Sequence, residues 1–207
     1  MRLYSYWRST TSYRVRVALH LKGIPFETIP VNLIEGEQRS ATFSQVNPSG
    51  GVPVLELQDG TRLTQSLAIL DYLDTIAAPK LVPADPLLAA QVRAAAQIIA
   101  LDIHPVNNLK VVGMLPDADA DAKVSWMLHW MHEGFNAFSQ AIHNKDKYCF
   151  GDTVTIADIC LVGQLINAHR WGLDLSPYPR LTEIETNCLA LPAFQAAAPD
   201  AQPDATT

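Results

Sequence analysis

The feature that most restricts this chain is a change of hydrophobic period close to residue 80. Before that point short extended runs alternate with helical ones; beyond it the periodic stretches are almost all helical. Residues 3–6 (LYSY) read as a strand. Val15, Val17, Ala18, Leu19 and Leu21 follow with roughly helical spacing and are stopped by Gly23 and Pro25. Residues 27–33 read as extended, and Pro30, which has no N–H to donate, favours an edge position. Residues 35–45 are polar, a loop with room for one short helix. Val52–Leu57 and Thr61–Thr64 flank Gln58-Asp59-Gly60, a hairpin signal. Ser66–Ile76 carries apolar residues at 67, 69, 70 and 73, a second helix.

The order is therefore β-α-β and then β-β-α within residues 1–79. The first half needs a crossover and a parallel pair, the second a hairpin. This is the thioredoxin-like arrangement. Pro79, Pro83 and Pro86 punctuate the switch, and residues 80–86 are expected to be a linker. Residues 87–207 are expected to form an all-α domain with helices over 87–103, 121–143, 155–169 and 180–197. The small, polar tail APDAQPDATT is expected to fray. The fold class is thus α/β followed by all-α.

Charge and composition narrow the function. Apolar residues make up 48% of the chain, an ordinary globular share. A net charge of −6 argues against nucleic-acid binding and against attraction to anionic membranes. Residues 1–79 hold seven Lys/Arg and seven Asp/Glu, while residues 80–207 hold eight and fourteen, so the acidity lies in the second part. No run of about 18 uncharged apolar residues suggests a membrane span, and MRLYSYWRS lacks the marks of a signal peptide. A cytoplasmic location is expected. Cys149, Cys160 and Cys188, odd in number and widely spaced, fit reduced buried thiols rather than disulfides or a zinc site.

Ser9, Thr10, Thr11 and Ser12 crowd the start of the first helix. One reading is N-capping, which uses one or two of them. The other is an anion site, because a helix N-terminus with spare hydroxyl donors attracts negative charge. A thioredoxin-like domain normally places a thiol at this position, and CxxC would mark a redox enzyme. Hydroxyls stand there instead, and no cysteine precedes residue 149. If the site handles sulfur, the sulfur must arrive on a small molecule.

Other motifs are weaker alone. Pro53 in GGVPVL sits at the start of a strand, where a cis Val52–Pro53 bond would expose the Val52 backbone to an extended peptide. Gln65 offers an amide to a zwitterionic ligand, while Ser66 could cap the helix that follows. Thr155 and Asp158 form a capping box, assigned to folding. His129 and His132 lack a third ligand, so no metal is expected. His104, in LDIHPVNNLK, heads a polar cluster that interrupts a helix. No phosphate loop, dinucleotide fingerprint or GxSxG is present.

Taken in order, RSTTSYRVRVALHLKG, NPSGGVPVL, QSLAILDYL, GDTVTIADICLVGQL and LDLSPYP resemble the zeta-class glutathione transferases over about residues 1–203. That family includes maleylacetoacetate and maleylpyruvate isomerases, and LDIHPVNN is similar to the maleylpyruvate branch. The resemblance implies a cytosolic homodimer that uses glutathione. It would isomerise a maleyl-type dicarboxylic keto acid to the fumaryl form in aromatic compound catabolism. Ser9 matches the hydroxyl that bonds the glutathione sulfur, supported by Thr10 and Thr11. Gln38, the Val52 backbone with Pro53, Gln65 and Ser66 match tripeptide contacts. His104, Asn108 and Lys110 fall where second-domain contacts lie, the first two towards glutathione and Lys110 towards substrate. Arg170 matches an arginine linked to the substrate carboxylate, with Arg8 a further candidate. Thr11 stands where many members have cysteine, Tyr13 replaces a tryptophan, and Gly51 replaces a larger polar residue. Two rivals use the same domain: a general transferase that conjugates or dehalogenates small electrophiles, and a non-catalytic thioredoxin-like binding module. Arg8 and Arg170 favour the isomerase, because a neutral electrophile needs neither.

Overall fold

The computed structural model describes residues 1–116 and 119–206. The chain divides into two compact units, Met1–Lys80 with Ala190–Thr207, and Leu81–Leu189.

In the first unit β1 (Arg2–Ser5), α1 (Thr10–Leu21) and β2 (Glu27–Pro30) form the crossover half. A 3-10 turn (Glu37–Arg39) and the one-turn α2 (Ala41–Ser44) lead to the hairpin of β3 (Val54–Glu56) and β4 (Arg62–Thr64), then to α3 (Ser66–Ile76). The sheet order is β2-β1-β3-β4. β1 runs parallel to β2, Arg2 opposite Glu27, and antiparallel to β3, Arg2 opposite Glu56. Pro30 ends the edge strand β2, as its missing N–H requires. The hairpin turns at Leu57–Gly60, where Gly60 N–H donates to Leu57 O (3.1 Å). Gly60 has φ 85°, a conformation open to glycine and costly for other residues.

Helix α1 is the centre of this unit. Ser9 caps it, accepting from the Ser12 amide, and Gly23 (φ 61°) closes it, with Ile24 N–H reaching Leu19 O (3.0 Å). It packs against α3 and against the late helix α9. Every residue from Ser12 to Leu19 is buried, including Arg14 (1% exposed) and Arg16 (0%). At its end the Lys22 ammonium, fully enclosed, donates to Asp74 Oδ1 (3.0 Å), Ala77 O (2.9 Å) and Pro79 O (2.6 Å).

The second unit is helical. α4 (Pro86–Gln97) starts on Asp85, which accepts from Leu88 N–H (2.8 Å), and runs into a π-helical turn at Ile98–Ile103. The one-turn α5 (Leu109–Val112), the long α6 (Ala120–Ala141), α7 (Ile156–Trp171) and α8 (Pro179–Leu189) follow. α7 is buried from Ile156 to Leu165 and packs against α4, α6 and α8. Met127, Met131, Phe135 and Phe138 form the buried stripe of α6. Gly134 lies on the same helix because a Cβ there would come within 2.1 Å of Ile103 Cγ1. The Pro86–Ile103 stretch has the length and mean hydropathy (1.3) of a membrane span, but it carries Arg93 and Asp102 and packs against α6 and α7.

Three expectations are corrected. The helix over 180–197 is two helices, α8 and α9 (Pro192–Ala197), because proline at 192 cannot continue α8 and restrains the residue before it. The residues after Leu189 do not stay with the helical domain of 87–207. They join the first unit, where α9 packs on α1. Over its described residues, 198–206, the tail is tied down rather than frayed. A 3-10 turn at Pro199–Ala201 is followed by Gln202, whose side-chain amide donates to Ala196 O and Ala198 O, both at 2.9 Å.

Candidate active site

The hydroxyl cluster is a directed chain. Thr11 Oγ1 donates to Val52 O (2.9 Å) and lies 2.9 Å from Ser9 Oγ. A hydroxyl has one proton. Thr11 spends its own on a carbonyl, so Ser9 is the donor in the Ser9–Thr11 pair. Ser9 Oγ in turn accepts from Ser12 N–H (3.1 Å). Thr10 is buried at 5% exposed, and Ser12 Oγ, fully buried, has no hydrogen-bond partner among the described residues. The first turn of α1 contains no acidic residue, so its positive end is not neutralised from within. The Val52–Pro53 bond is cis, and Pro53 is buried below Val52.

The start of α3 is built differently from the expected cap. Ser66 is the first helical residue; Gln65 precedes it with φ 67° and makes no side-chain cap, so the expectation of Ser66 as a cap is corrected. Ser66 Oγ instead accepts from Arg14 Nη1 (3.2 Å). Arg14 Nε and Nη2 have no hydrogen-bond partner among the described residues. A buried guanidinium without a carboxylate is costly, and an anion arriving at Ser66 would offset that cost. Gln38 lies in the 3-10 turn, its Nε2 donating to Leu33 O (3.3 Å) and its buried Oε1 without a partner among the described residues. These donors and orphaned polar atoms fit a zwitterionic peptide with a sulfur.

Arg8 stacks over the Trp7 ring (4.8 Å to its centre) and donates to Tyr6 Oη (3.3 Å). It lines a cavity of about 420 Å³ with Tyr6, Trp7, Pro30, Ile34 and Asp204 among the walls. The loop that carries it is fixed from behind. Arg16 donates to Trp7 O (3.0 Å), Tyr6 O (3.4 Å), Ser5 Oγ (2.9 Å) and Ala197 O (3.1 Å). Burial pulls the Arg16 guanidinium down to about 10, still charged at neutral pH, with Asp204 opposing the shift.

In the second unit His104 ends the π-helical turn, its N–H reaching Ile99 O (3.0 Å). Asn108 caps α5 by accepting from Lys110 N–H (3.1 Å), and Lys110 is exposed. Its neighbour Asn107 is buried and donates to Met127 O (3.2 Å). Arg170 is exposed in the last turn of α7, beside His169, which meets Glu185 at 2.9 Å. Asp158 accepts from Thr155 N–H (2.7 Å), Thr155 Oγ1 (2.8 Å) and Cys149 N–H (2.7 Å). The box at residues 155–158 therefore closes on itself, as a folding device should. Among the described residues no group of three or more His, Cys, Asp or Glu could hold a metal ion. The three cysteines are buried, and burial pushes the Cys149 and Cys188 thiols up, away from the thiolate form.

Sequence reasoning missed Arg14, Arg16 and Asp204 as parts of this site. Two arginines at i, i+2 in a helix that is otherwise apolar were the available signal for the first two. Asp204 had none, since a tail of small residues gives no periodicity to read.

A family model for the glutathione S-transferase N-terminal domain matches residues 8–76. The chain is 44% identical to the maleylacetoacetate isomerase of Mus musculus, over 98% of this chain and 94% of that one. Its fold matches the holo structure of a maleylpyruvate isomerase, a bacterial zeta-class transferase, with a TM-score of 0.96 and 40% identity over the whole of both chains. It matches equally well a maleylacetoacetate isomerase from Methylobacterium extorquens AM1 solved with malonate and glutathione (TM-score 0.96, 34% identity, all of both chains). The chain belongs to the zeta-class glutathione transferases, in the maleylacetoacetate and maleylpyruvate isomerase family.

Proposed function

We propose that this chain is a glutathione-dependent cis–trans isomerase that turns a maleyl keto acid, maleylpyruvate or maleylacetoacetate, into its fumaryl form. One observation carries the reading. The thioredoxin position holds Ser9 with a directed hydroxyl chain, and the chain's own cysteine thiols are all buried elsewhere. Bound glutathione supplies the thiolate, which adds reversibly to the activated double bond so that the carbon–carbon bond can turn, and is recovered unchanged.

The protein's part is to keep that sulfur ionised and to hold the acid. A free thiol has a pKa of about 8.5, and lowering it by about two units is worth ~2.7 kcal/mol. The positive end of α1 contributes about 0.3–1 kcal/mol, more where water is excluded. A hydrogen bond from Ser9 to the sulfur contributes about 1.5–3 kcal/mol. Ser9 must first withdraw its proton from Thr11, at a cost of about 0.5–1.5 kcal/mol. Thr11 is therefore a resting acceptor for the catalytic proton, and Thr10 holds the turn from its buried side. Gln38, Val52 with Pro53, Gln65 and Ser66 hold the tripeptide, with Arg14 supplying charge behind Ser66. His104 and Asn108 are assigned to glutathione from the second unit. Arg8, Arg170 and Lys110 are assigned to the substrate carboxylates, which the net negative chain does not attract at long range. A cytoplasmic homodimer is part of the same reading.

The test is an assay of both acids with and without glutathione, following the cis-to-trans change and the free thiol together. Turnover with full recovery of glutathione is expected. Stoichiometric loss of the thiol would instead mean conjugation or dehalogenation, and tight binding without turnover would mean a binding module. In the same assay Arg170→Ala is expected to raise the KM for the acid about tenfold with glutathione affinity unchanged.

A further inference from the structure

The segment between β1 and α1 carries Arg8 and Ser9, and its backbone is held at both ends of one residue. Trp7 O accepts from Arg16 Nη2 (3.0 Å), and Trp7 N–H donates to Asp204 Oδ2 (3.0 Å), 197 residues away in sequence. The turn is completed by Ser9 N–H on Tyr6 O (2.9 Å). Asp204 arrives there on a built strap. Gln202, 9% exposed, anchors the strap through Ala196 O and Ala198 O, and Ala205 N–H returns to Gln202 O (3.1 Å). Arg8 and Asp204 line the same cavity, and Arg8 Nε and Asp204 Oδ1 are both buried with no hydrogen-bond partner among the described residues.

We propose that Asp204 is a positioning residue: by accepting the Trp7 amide it sets where Arg8 and Ser9 stand, so the tail of the chain is a working part of the isomerase site. The inference rests on the function proposed above. Arg16 holds the two carbonyls that flank Trp7, Tyr6 O (3.4 Å) and Trp7 O (3.0 Å), while Asp204 takes the amide between them. Without Asp204 the Tyr6–Trp7 peptide is held on its carbonyl side alone and can tilt, and the backbone that leads from it to Arg8 turns with it. Arg8 would then leave its place over the Trp7 ring, and Ser9 would meet the sulfur at a poorer angle. The oxygen that meets the amide matters here, more than the net charge, so an amide side chain should serve nearly as well.

The experiment uses the full chain, with Asp204→Ala, Asp204→Asn and a deletion of residues 204–207. It measures KM and kcat for maleylpyruvate, the ultraviolet titration of the bound glutathione thiol, and thermal unfolding. In Asp204→Ala and in the deletion, KM for the acid is expected to rise about three- to tenfold, the loss of one hydrogen bond. The thiol midpoint is expected to move upward as well. Asp204→Asn should restore most of both, because its carboxamide oxygen can accept from Trp7. Wild-type KM and thiol midpoint in Asp204→Ala would overturn the proposal, and so would a lowered unfolding temperature as the sole change. Asparagine no better than alanine would overturn it too. A wild-type enzyme that shifts the thiol midpoint but does not isomerise either acid would sink the functional reading. The thiol titration of the variants would then still judge the strap.

Discussion

Helices α1 and α7 both begin on a hydroxyl residue, and the two beginnings do opposite things. At α7 the Thr155 cap meets Asp158, a carboxylate buried in the first turn that takes three donors, one of them from Cys149. Its donors are spent inside the protein. At α1 the Ser9 cap meets no acid in the first turn, and its proton goes to Thr11, a neutral hydroxyl 2.9 Å away. The lesson is that a hydroxyl-rich helix start keeps its donors available when the chain leaves out the carboxylate that would complete it. Four hydroxyls and no Asp is the informative pattern, more than the hydroxyls themselves.

The largest test of this contrast is Asp158→Ala. It strands Thr155 and Cys149 N–H groups in a buried place, at about 1–3 kcal/mol for each orphan. We expect about 3 kcal/mol or more of stability to be lost in urea denaturation, with kcat per folded molecule unchanged. A stable Asp158→Ala would erase the distinction. Ser9→Ala should show the reverse balance. A lost cap costs about 1 kcal/mol of stability, while kcat/KM should fall by up to about 70-fold, the worth of a charge-assisted hydrogen bond less the bond to Thr11 that Ser9 gives up. Thr11→Val sharpens the picture. It frees the Ser9 proton and removes the bond to Val52 O, so the bound thiol should titrate no higher than in wild type. The KM for glutathione should rise about two- to fivefold. A higher thiol midpoint in Thr11→Val would mean Thr11 donates to the sulfur itself. The smallest effect concerns the far end of α1. Burial, with Arg16 nearby, holds the His20 imidazole below its usual value. The unfolded chain therefore binds the proton first as pH falls, and stability is lost from about pH 6.5 downward. In His20→Gln the slope of unfolding free energy against pH in that window should flatten.

How legible these features were depends on how local their causes are. The strand order, the Asp59-Gly60 turn and the Thr155–Asp158 box each rest on a few adjacent residues, and each stands where the sequence placed it. The α1 start was legible as a cluster, but its direction was not, because the proton order depends on Val52 O from another segment. The seat of residues 198–206 was illegible for the same reason. A tail of Ala, Pro, Gln and Asp shows no period, and its order comes from Trp7 and α1. Arg14 and Arg16 were visible as charges in an apolar run, yet only the fold shows that Ser66 lies in front of one and the Trp7 carbonyl beside the other. Pro192 is equally visible in the sequence, and it divides the last helical stretch into α8 and α9.

The pocket around Lys22 has a practical consequence. Its three ammonium protons meet Asp74, Ala77 and Pro79, and the side chain is wholly enclosed. A tripod of that shape suits no planar guanidinium, so Lys22→Arg is a disruptive exchange despite the kept charge. The same enclosure gives a built-in clock: an amine-modifying reagent reaches this lysine only when the ends of α1 and α3 part, so its labelling rate reads out how often they do.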